Sequence, residues 1–200
     1  MSAPDPRTLV GQDGVVVAHS TKGKLLLASP PLVDPNFDRT VVYVLEHAES
    51  GALGVVVNRT SEERWVEGLD EWCDLTSQPP VVFSGGPVEL DALIGLAWNT
   101  RTPADAAWTT VSDGIGTVDL SVPPTEVAPV IDRLRLFRGY SGWGAGQLDD
   151  ELEAGAWIVV PALVDDVFTA EPDNLWRAVL RRQGGRLAWI ANAPDDLSAN

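Results

Sequence analysis

The chain has few of the side chains that carry most covalent and metal chemistry. Its 200 residues include one cysteine, Cys73, and two histidines. A lone cysteine excludes an internal disulfide bond, and so few sulfur and imidazole groups, in no recognisable spacing, argue against a typical zinc site. No calcium-loop pattern is present either. We therefore expect neither a metal ion nor a cofactor.

Long apolar runs are also missing, although hydrophobic residues make up 44% of the chain. A membrane-spanning helix needs about 20 consecutive apolar residues, and no such stretch exists. Residues 1–7 lack the basic and then apolar regions of a secretory signal. These absences predict a cytoplasmic protein without membrane contact, and the hydrophobic content suffices for the core of one domain.

Positive charge is scarce, because 14 Lys and Arg stand against 29 Asp and Glu, a formal net charge of −15. Nucleic-acid binding draws much of its affinity from cations that neutralise phosphates, so direct binding is not expected. Two stretches are rich in arginine: Arg133, Arg135 and Arg138, then Arg177, Arg181, Arg182 and Arg186. Joined in space they would hold phosphates, but we favour the commoner arrangement, in which such arginines pair with nearby acids.

Apolar and β-branched runs predict most of the secondary structure. Strands are predicted at 23–28, 40–45, 54–57, 81–83, 93–98, 108–111, 117–121, 157–160 and 187–190. The short turn between the second and third of these predicts an antiparallel hairpin. Helices are predicted at 61–72, 127–137, around 148–152, and from Asp173 as cap to Gln183, with Gly184 as stop. Strands and helices do not alternate regularly, which predicts one α+β domain.

A glycine-rich segment at 139–146 predicts a loop. It fails the dinucleotide fingerprint because Gln147 stands where the third glycine belongs, and the nucleophile elbow because Trp143 stands at the closing glycine. Main-chain N–H groups ahead of a helix can hold an anion, but we favour a tight turn that needs positive φ. Of the eight tryptophans, Trp143 is predicted to be exposed and to stack on a partner.

Several blocks resemble the YqgE/AlgH family. They read Gly-Lys-Leu-Leu-Leu-Ala-Ser-Pro at 23–30, Asp-Pro-Asn-Phe-Asp-Arg-Thr-Val at 34–41, His47, Gly-Ala-Leu-Gly-Val-Val-Val-Asn-Arg at 51–59, Ser-Gly-Gly-Pro-Val at 84–88 and a glycine-rich block at 139–152. The resemblance implies an α+β fold on a bent, mixed or antiparallel sheet like a partial barrel, with flanking helices. It brings no agreed catalytic residues, and some members carry the label of transcriptional regulator.

The chain departs from the family pattern in two places. The strand at 93–98 lacks the histidine that is frequent there, so an activity that needs this second histidine is not expected. The family's Thr/Ser-rich helix start is replaced around 121–125 by Ser-Val-Pro-Pro-Thr.

The leading hypothesis is a non-catalytic cytosolic binding or regulatory protein whose partner is a protein or a small ligand. Its predicted binding surface comprises Asn36, Phe37, Asp38, Arg39, His47, Gly85, Gly86, Trp143, Gly144 and Gln147. For the turn at 36–39 the alternative is structural, with Asp38 paired to Arg39 or Arg59 and Phe37 buried. The turn and the glycine-rich loop form one surface only if both lie on the same side of the fold.

Two competing hypotheses remain open. The first is a hydrolase in which His47 acts as general base with Ser29, Ser84 or Asp38, although we favour a histidine that closes a hairpin turn. The second is a transcriptional regulator that acts through a protein partner. For the domain organisation we predict a loose segment at 1–22, the domain at 23–191 and a tail at 192–200.

Overall fold

Nine strands form one curled, half-barrel sheet in the computed structural model, which describes residues 20–30, 32, 34, 36–64, 66–99 and 107–192. Most of the predicted loose segment at 1–22 and of the predicted tail at 192–200, namely residues 1–19 and 193–200, lies outside the described residues. The strands are β1 Lys24–Ala28, β2 Val41–Ala48, β3 Gly51–Val56, β4 Phe83–Ser84, β5 Val88–Trp98, β6 Trp108–Ser112, β7 Ile115–Val118, β8 Arg133–Trp143 and β9 Trp157–Pro161.

Six short helices accompany the sheet in the described part of the chain. They are α1 Asp70–Cys73, α2 Pro124–Val127, α3 Gln147–Glu153, α4 Val164–Val167, α5 Leu175–Gln183 and α6 Gly185–Ile190, with 3-10 turns at Ala128–Val130 and Pro172–Asn174. Gly184, with φ +71°, ends α5 as predicted, but the residue that precedes α5 is Asn174 rather than Asp173.

The strand order is β6-β7-β5-β8-β3-β2-β1-β9, and the short β4 pairs in parallel with β8. The other pairs are antiparallel, including the predicted β2–β3 hairpin, in which Val42 lies opposite Val56. One α+β domain on a bent mixed sheet is therefore confirmed.

Both faces of the central strands are buried, which explains their nearly continuous apolar sequences. Leu25 and Leu27 of β1 belong to a core cluster that includes Trp176 and Val179 of α5. Leu26, between them, points to a second cluster on the opposite face, because successive side chains of a strand alternate.

The prediction of a helix at 61–72 is wrong over most of its length. Only α1 is helical, and Ser61 instead donates its main-chain N–H and its hydroxyl to the carbonyl oxygen of Val82, each at 2.9 Å. Val82 in turn donates to the carbonyl oxygen of Glu63 at 2.8 Å. The start of the segment thus bonds to Val82 instead of forming helical bonds, and Gly68 at φ +80° breaks the helical path.

The prediction of a helix at 127–137 followed by a loop at 139–146 is also wrong, because β8 runs through both segments. After α2 and the 3-10 turn, the backbone extends between β5 and β3. Pro129 has no N–H to continue a helix, and the alternation Arg133-Leu-Arg-Leu136 has the period of a strand. The predicted strand at 187–190 is wrong, since these residues belong to the helix α6, which begins at the second of two glycines of positive φ, Gly184 and Gly185.

The burial of Tyr43 in β2 leads us to predict that the folded protein loses stability at alkaline pH. Its side chain is fully buried, its hydroxyl has no hydrogen-bond partner among the described residues, and burial, then the charge of Asp113, raise its pKa. The unfolded phenol therefore ionises first, and the stability that Tyr43 contributes below about pH 10 is lost as pH rises further, by about 1.4 kcal/mol per unit.

We expect Tyr43→Phe to unfold at nearly the wild-type urea concentration at pH 7, since no hydrogen bond is lost. Between pH 10 and 11 the variant should become the more stable protein. Urea titrations of both proteins at pH 7, 10 and 11 measure the difference in their free energies of unfolding. A difference that stays constant with pH would contradict the assignment to Tyr43.

Candidate functional site

The turn at 36–39 is held by side chains that bond to the backbone. Asp34 Oδ1 accepts the main-chain N–H of Asn36 at 2.8 Å, and its carbonyl oxygen accepts that of Phe37 at 2.9 Å. Asn58, just after β3, accepts the N–H of Val41 at 2.8 Å and donates to the carbonyl oxygen of Arg39 at 3.0 Å. The end of β3 therefore fixes the position of this turn.

The two glycine-rich blocks of the sequence pack backbone against backbone. A side chain at Gly85 would overlap the carbonyl oxygen of Gly139, and one at Gly86 would overlap the carbonyl group of Tyr140. Gly85 also donates to the carbonyl oxygen of Arg138 at 2.8 Å. Gly86, at φ +151°, has a conformation that favours glycine.

The turn and the Gly85–Gly86 segment border one cleft of about 230 Å³. Its lining residues are Asn36, Val56, Arg59, Ser84, Gly86, Pro87 and Leu90. We call it the Asn36–Gly86 cleft. Two predicted site residues, 50 positions apart in the sequence, therefore line the same depression.

The Asn36–Gly86 cleft combines an apolar wall with polar groups. Pro87 and Leu90 supply apolar surface, and the Leu90 side chain is 60% exposed. Arg59 donates from Nη2 to the carbonyl oxygen of Asp38 at 3.3 Å. A guanidinium carries five N–H donors in a planar fork, so the same group can also bind a carboxylate at two points.

The prediction that Trp143 is exposed is wrong, since only 7% of it is accessible. Its Nε1 donates to Glu151 Oε2 at 2.8 Å, and Nε1 of Trp157 donates to the same oxygen at 2.7 Å. Gln147 donates to Glu151 Oε1 at 2.9 Å and accepts the main-chain N–H of Gly144 at 3.1 Å. The carboxylate thus joins the end of β8, α3 and β9, and we call this group the Glu151 clamp.

The turn and the glycine-rich block lie on the same side of the fold, because both contact Trp157. The rings of Phe37 and Trp157 meet edge to face with centroids 5.4 Å apart, and those of Trp143 and Trp157 at 5.9 Å. Phe37 is half-buried in this contact. The structural alternative for the turn is thus realised in part, although Arg59 bonds the main chain of Asp38 rather than its carboxylate.

His47 has different partners from those of the hydrolase hypothesis. Its Nδ1 lies 3.2 Å from the main-chain nitrogen of Thr21 and 3.0 Å from Thr21 Oγ1, and its Nε2 lies 3.6 Å from Asp149 Oδ1. Because an N–H can only donate, Nδ1 accepts and the ring proton lies on Nε2. The imidazole therefore accepts from Thr21 and lies beside α3.

The predicted pairing of His47 with Ser29, Ser84 or Asp38 is not formed. Ser29 donates its hydroxyl to the carbonyl oxygen of Gly155 at 2.7 Å, and Ser84 lines the Asn36–Gly86 cleft. The only hydroxyl at the imidazole in the described part of the chain is that of Thr21, which is 3% exposed. Burial keeps a substrate carbonyl away from this hydroxyl.

Three arginines pair with acids as predicted: Arg133 with Asp165 at 2.6 Å, Arg138 with Glu63 at 3.0 Å and Arg182 with Asp166 at 2.7 Å.

Arg135 differs from these three. It is 1% exposed, donates to the carbonyl oxygens of Gln78, Val167 and Thr169 and stacks 4.1 Å from the centre of the Phe83 ring. Burial, then the charge of Arg133, lower the pKa of Arg135 to about 10.

Other site types have little support in the described residues. Within them, no group of three or more His, Cys, Asp or Glu side chains is placed to hold a metal ion. The same residues include no helix that combines the length and the apolar content needed to cross a membrane.

Sequence reasoning missed Arg59 and Leu90 of the cleft and Glu151 of the clamp. Arg59 carried a signal, since it ends the block at 51–59 directly after a buried strand. For Glu151 the signal is the four-residue spacing from Gln147, which places both side chains on one face of α3. The sequence contains no signal for Leu90, because the exposure of this residue depends on the bulge in β5 between Val88 and Leu93.

The curled sheet, the paired glycine blocks and the cleft define a class of α+β half-barrel proteins. The AlgH-like family model (DUF179) matches residues 25–188. The chain therefore belongs to the AlgH-like family, and the resemblance stated from its sequence blocks is confirmed.

The chain is similar along its length to bacterial relatives. A UPF0301 protein of Streptomyces coelicolor is 48% identical over 191 residues, which covers 94% of this chain and 99% of the relative. One of Mycolicibacterium gilvum is 40% identical, with both chains fully covered.

Two solved structures share the fold. That of a protein from Corynebacterium diphtheriae has a TM-score of 0.82 at 27% identity, covering 90% of this chain and 96% of that one. The solution structure of the AlgH protein from Pseudomonas aeruginosa has a TM-score of 0.64 at 26% identity, covering 98% and 100%. None of these relatives' names specifies a reaction or a ligand.

Proposed function

We propose that the protein is a non-catalytic cytosolic binding or regulatory protein that holds a carboxylate-bearing ligand in the Asn36–Gly86 cleft. The ligand is a small molecule or the chain end of a partner protein, since both present the same chemistry. The carrying observation is the convergence of Asn36, Arg59 and Gly86 on one depression beside the apolar surface of Leu90.

Each part of the cleft has a role in this proposal. The guanidinium of Arg59 binds the carboxylate through its planar fork, and the Asn36 side chain adds an amide donor and acceptor. Val56, Pro87 and Leu90 take the apolar part of the ligand. Gly86 lets this wall of the cleft pack directly against β8, because any larger residue there would displace the backbone of β8.

The chemistry of the cleft favours binding over bond-making. A nucleophilic serine needs a base within hydrogen-bond reach, and the nearby hydroxyl, that of Ser84, has no histidine among the described residues that line the cleft. His47, the histidine within the described residues, already accepts a hydrogen bond from Thr21 and lies near Asp149. A regulatory role follows when ligand occupancy changes the surface formed by the 36–39 turn.

A thermal-shift titration with short dicarboxylates, N-acetylated amino acids and tripeptides tests the proposal. A ligand that binds only the folded protein raises the unfolding temperature in proportion to its occupancy. We expect one of these carboxylate classes to stabilise the wild-type protein, and Arg59→Ala to weaken its affinity at least about tenfold through loss of the charge-assisted bonds.

Arg59→Lys separates charge from geometry, since lysine keeps the charge and loses the fork. Arg64→Ala, at an exposed arginine that does not line the cleft, is the matched control and should bind as the wild type does. Equal shifts in the Arg59→Ala and wild-type proteins, or no shift with any carboxylate, would refute the proposed site.

A further inference from the structure

The C-terminal helices carry a local excess of positive charge. Residues 175–192 contain four arginines and no acid, in a chain of net charge −15. Arg177 donates to the carbonyl oxygen of Ala191, and Arg182 forms two bonds to Asp166, at 2.7 and 2.8 Å. Arg181 and Arg186 are exposed, and neither pairs with an acid among the described residues.

Beside this charge lies the most exposed large apolar side chain of the described residues. Trp189 is 84% exposed, whereas the next value is the 60% of Leu90. With Gly185, Arg186 and Ile190 it lines an open concavity of about 590 Å³. Arg186 and Trp189 are three positions apart on α6, so their side chains share one face of the helix.

We propose that this α6 surface, formed by Arg186, Trp189 and Ile190, docks an acidic segment of a partner protein that carries an aromatic or aliphatic side chain next to its carboxylates. Tryptophan and arginine are the side chains that most often dominate protein interfaces. The indole covers the partner's apolar side chain, and the guanidinium binds its carboxylate.

The charge of the whole chain selects this occupant over a polyanion. Nucleic acids and anionic membranes need many cations to release counterions, whereas the α6 surface offers Arg186 with Arg181 nearby in sequence. Much of an extended polyanion would lie over the acidic remainder of the surface, within a Debye length of about 8 Å, where a chain of net charge −15 repels it. A short segment with two or three carboxylates is attracted locally and is small enough to avoid most of that repulsion.

Fluorescence anisotropy with labelled peptides tests the docking surface on the full-length protein. The probes are twelve-residue peptides with one to four aspartates around a phenylalanine or tryptophan, and matched peptides with lysine at each aspartate. We expect an acidic peptide to bind, and Trp189→Ala and Arg186→Glu each to weaken it at least about tenfold. Raising the salt concentration should weaken it further.

Arg64→Glu is the matched control, because it makes the same charge change at an exposed arginine outside this surface. It should alter the affinity less than about twofold, and circular dichroism should show all variants folded, since Trp189 and Arg186 are exposed. The proposal would be overturned if no acidic peptide binds, or if Arg186→Glu and Arg64→Glu have equal effects. It would also be overturned if the protein binds the lysine peptides, single-stranded DNA or phosphatidylglycerol vesicles more tightly than the acidic peptides. Loss of cleft binding in Arg59→Ala would leave this result unchanged, so the two proposals fail separately.

Discussion

Replacing Glu151 by alanine is expected to lower the free energy of unfolding by about 4 kcal/mol, because hydrogen bonds to a charged group contribute roughly 1.5–3 kcal/mol each. Two indole N–H groups, on Trp143 and Trp157, donate to one oxygen of this carboxylate. Both tryptophans are buried, so water cannot replace the lost acceptor. For a chain of this size the unfolding temperature should fall by about 10 °C.

Glu153→Ala is the control for this prediction. Glu153 is exposed two residues further along α3 and has no bond among the described residues, so its removal should cost less than about 0.5 kcal/mol. Glu151→Gln, which keeps a neutral acceptor, should lie between the two. Chemical denaturation followed by tryptophan fluorescence measures all three, and an effect of Glu151→Ala no larger than that of the control would show that the clamp is not a source of stability.

The second large effect is expected for Gly86→Ala, at about 3–5 kcal/mol. The added methyl group would overlap the carbonyl group of Tyr140 and the backbone of Ser141, which cannot rotate away as a side chain can. Overpacking costs typically 1–3 kcal/mol, and the strained φ of +151° adds a similar amount.

Gly144→Ala provides the comparison within the same predicted binding set. A methyl group there meets only Gln147 Oε1, at 3.9 Å, and Gly144 has no positive φ, so the change should cost less than about 1 kcal/mol. Urea denaturation of the Gly86→Ala and Gly144→Ala variants measures both losses in the free energy of unfolding. If both glycines tolerate alanine equally, the backbone contact between the glycine blocks does not constrain the fold as described.

The sequence was sufficient to predict what local chemistry determines. The β2–β3 hairpin follows from two β-branched runs around a short turn. The 36–39 turn follows from the tendency of an Asp side chain to accept a main-chain N–H two residues further on, as Asp34 does from Asn36. Both features depend on residues that are near each other in the chain, so the sequence predicts them without knowledge of tertiary contacts.

The features that escaped prediction depend on tertiary contacts. Glycines at 139 and 142 suggested a loop, but in β8 they allow the backbone of Gly86 and the ring of Tyr140 to approach closely. Trp143 likewise points inward, to Glu151 and Trp157, rather than outward to a partner. No local pattern gives the distance between two segments 50 residues apart.

For the candidate site, sequence reasoning supplied some of the residues that line the cleft and misjudged the exposure of Trp143. Asn36 and Gly86 do line the cleft, whereas Trp143, Gly144 and Gln147 belong to the Glu151 clamp and His47 accepts from Thr21 beside α3. Arg59, the cation of the cleft, was considered only as a partner of Asp38. Its wider role depends on the arrangement of three separate segments, which only the folded chain reveals.

The most direct test of recognition at the Asn36–Gly86 cleft is a two-dimensional ¹H–¹⁵N spectrum of the labelled protein, titrated with the carboxylate that stabilises it best. The account predicts shifts of the amide signals of Asn36, Arg59, Ser84 and Gly86, together with a ligand spectrum that stays unchanged for hours. Shifts confined to Thr21, His47 and Asp149, or the appearance of product signals, would contradict it.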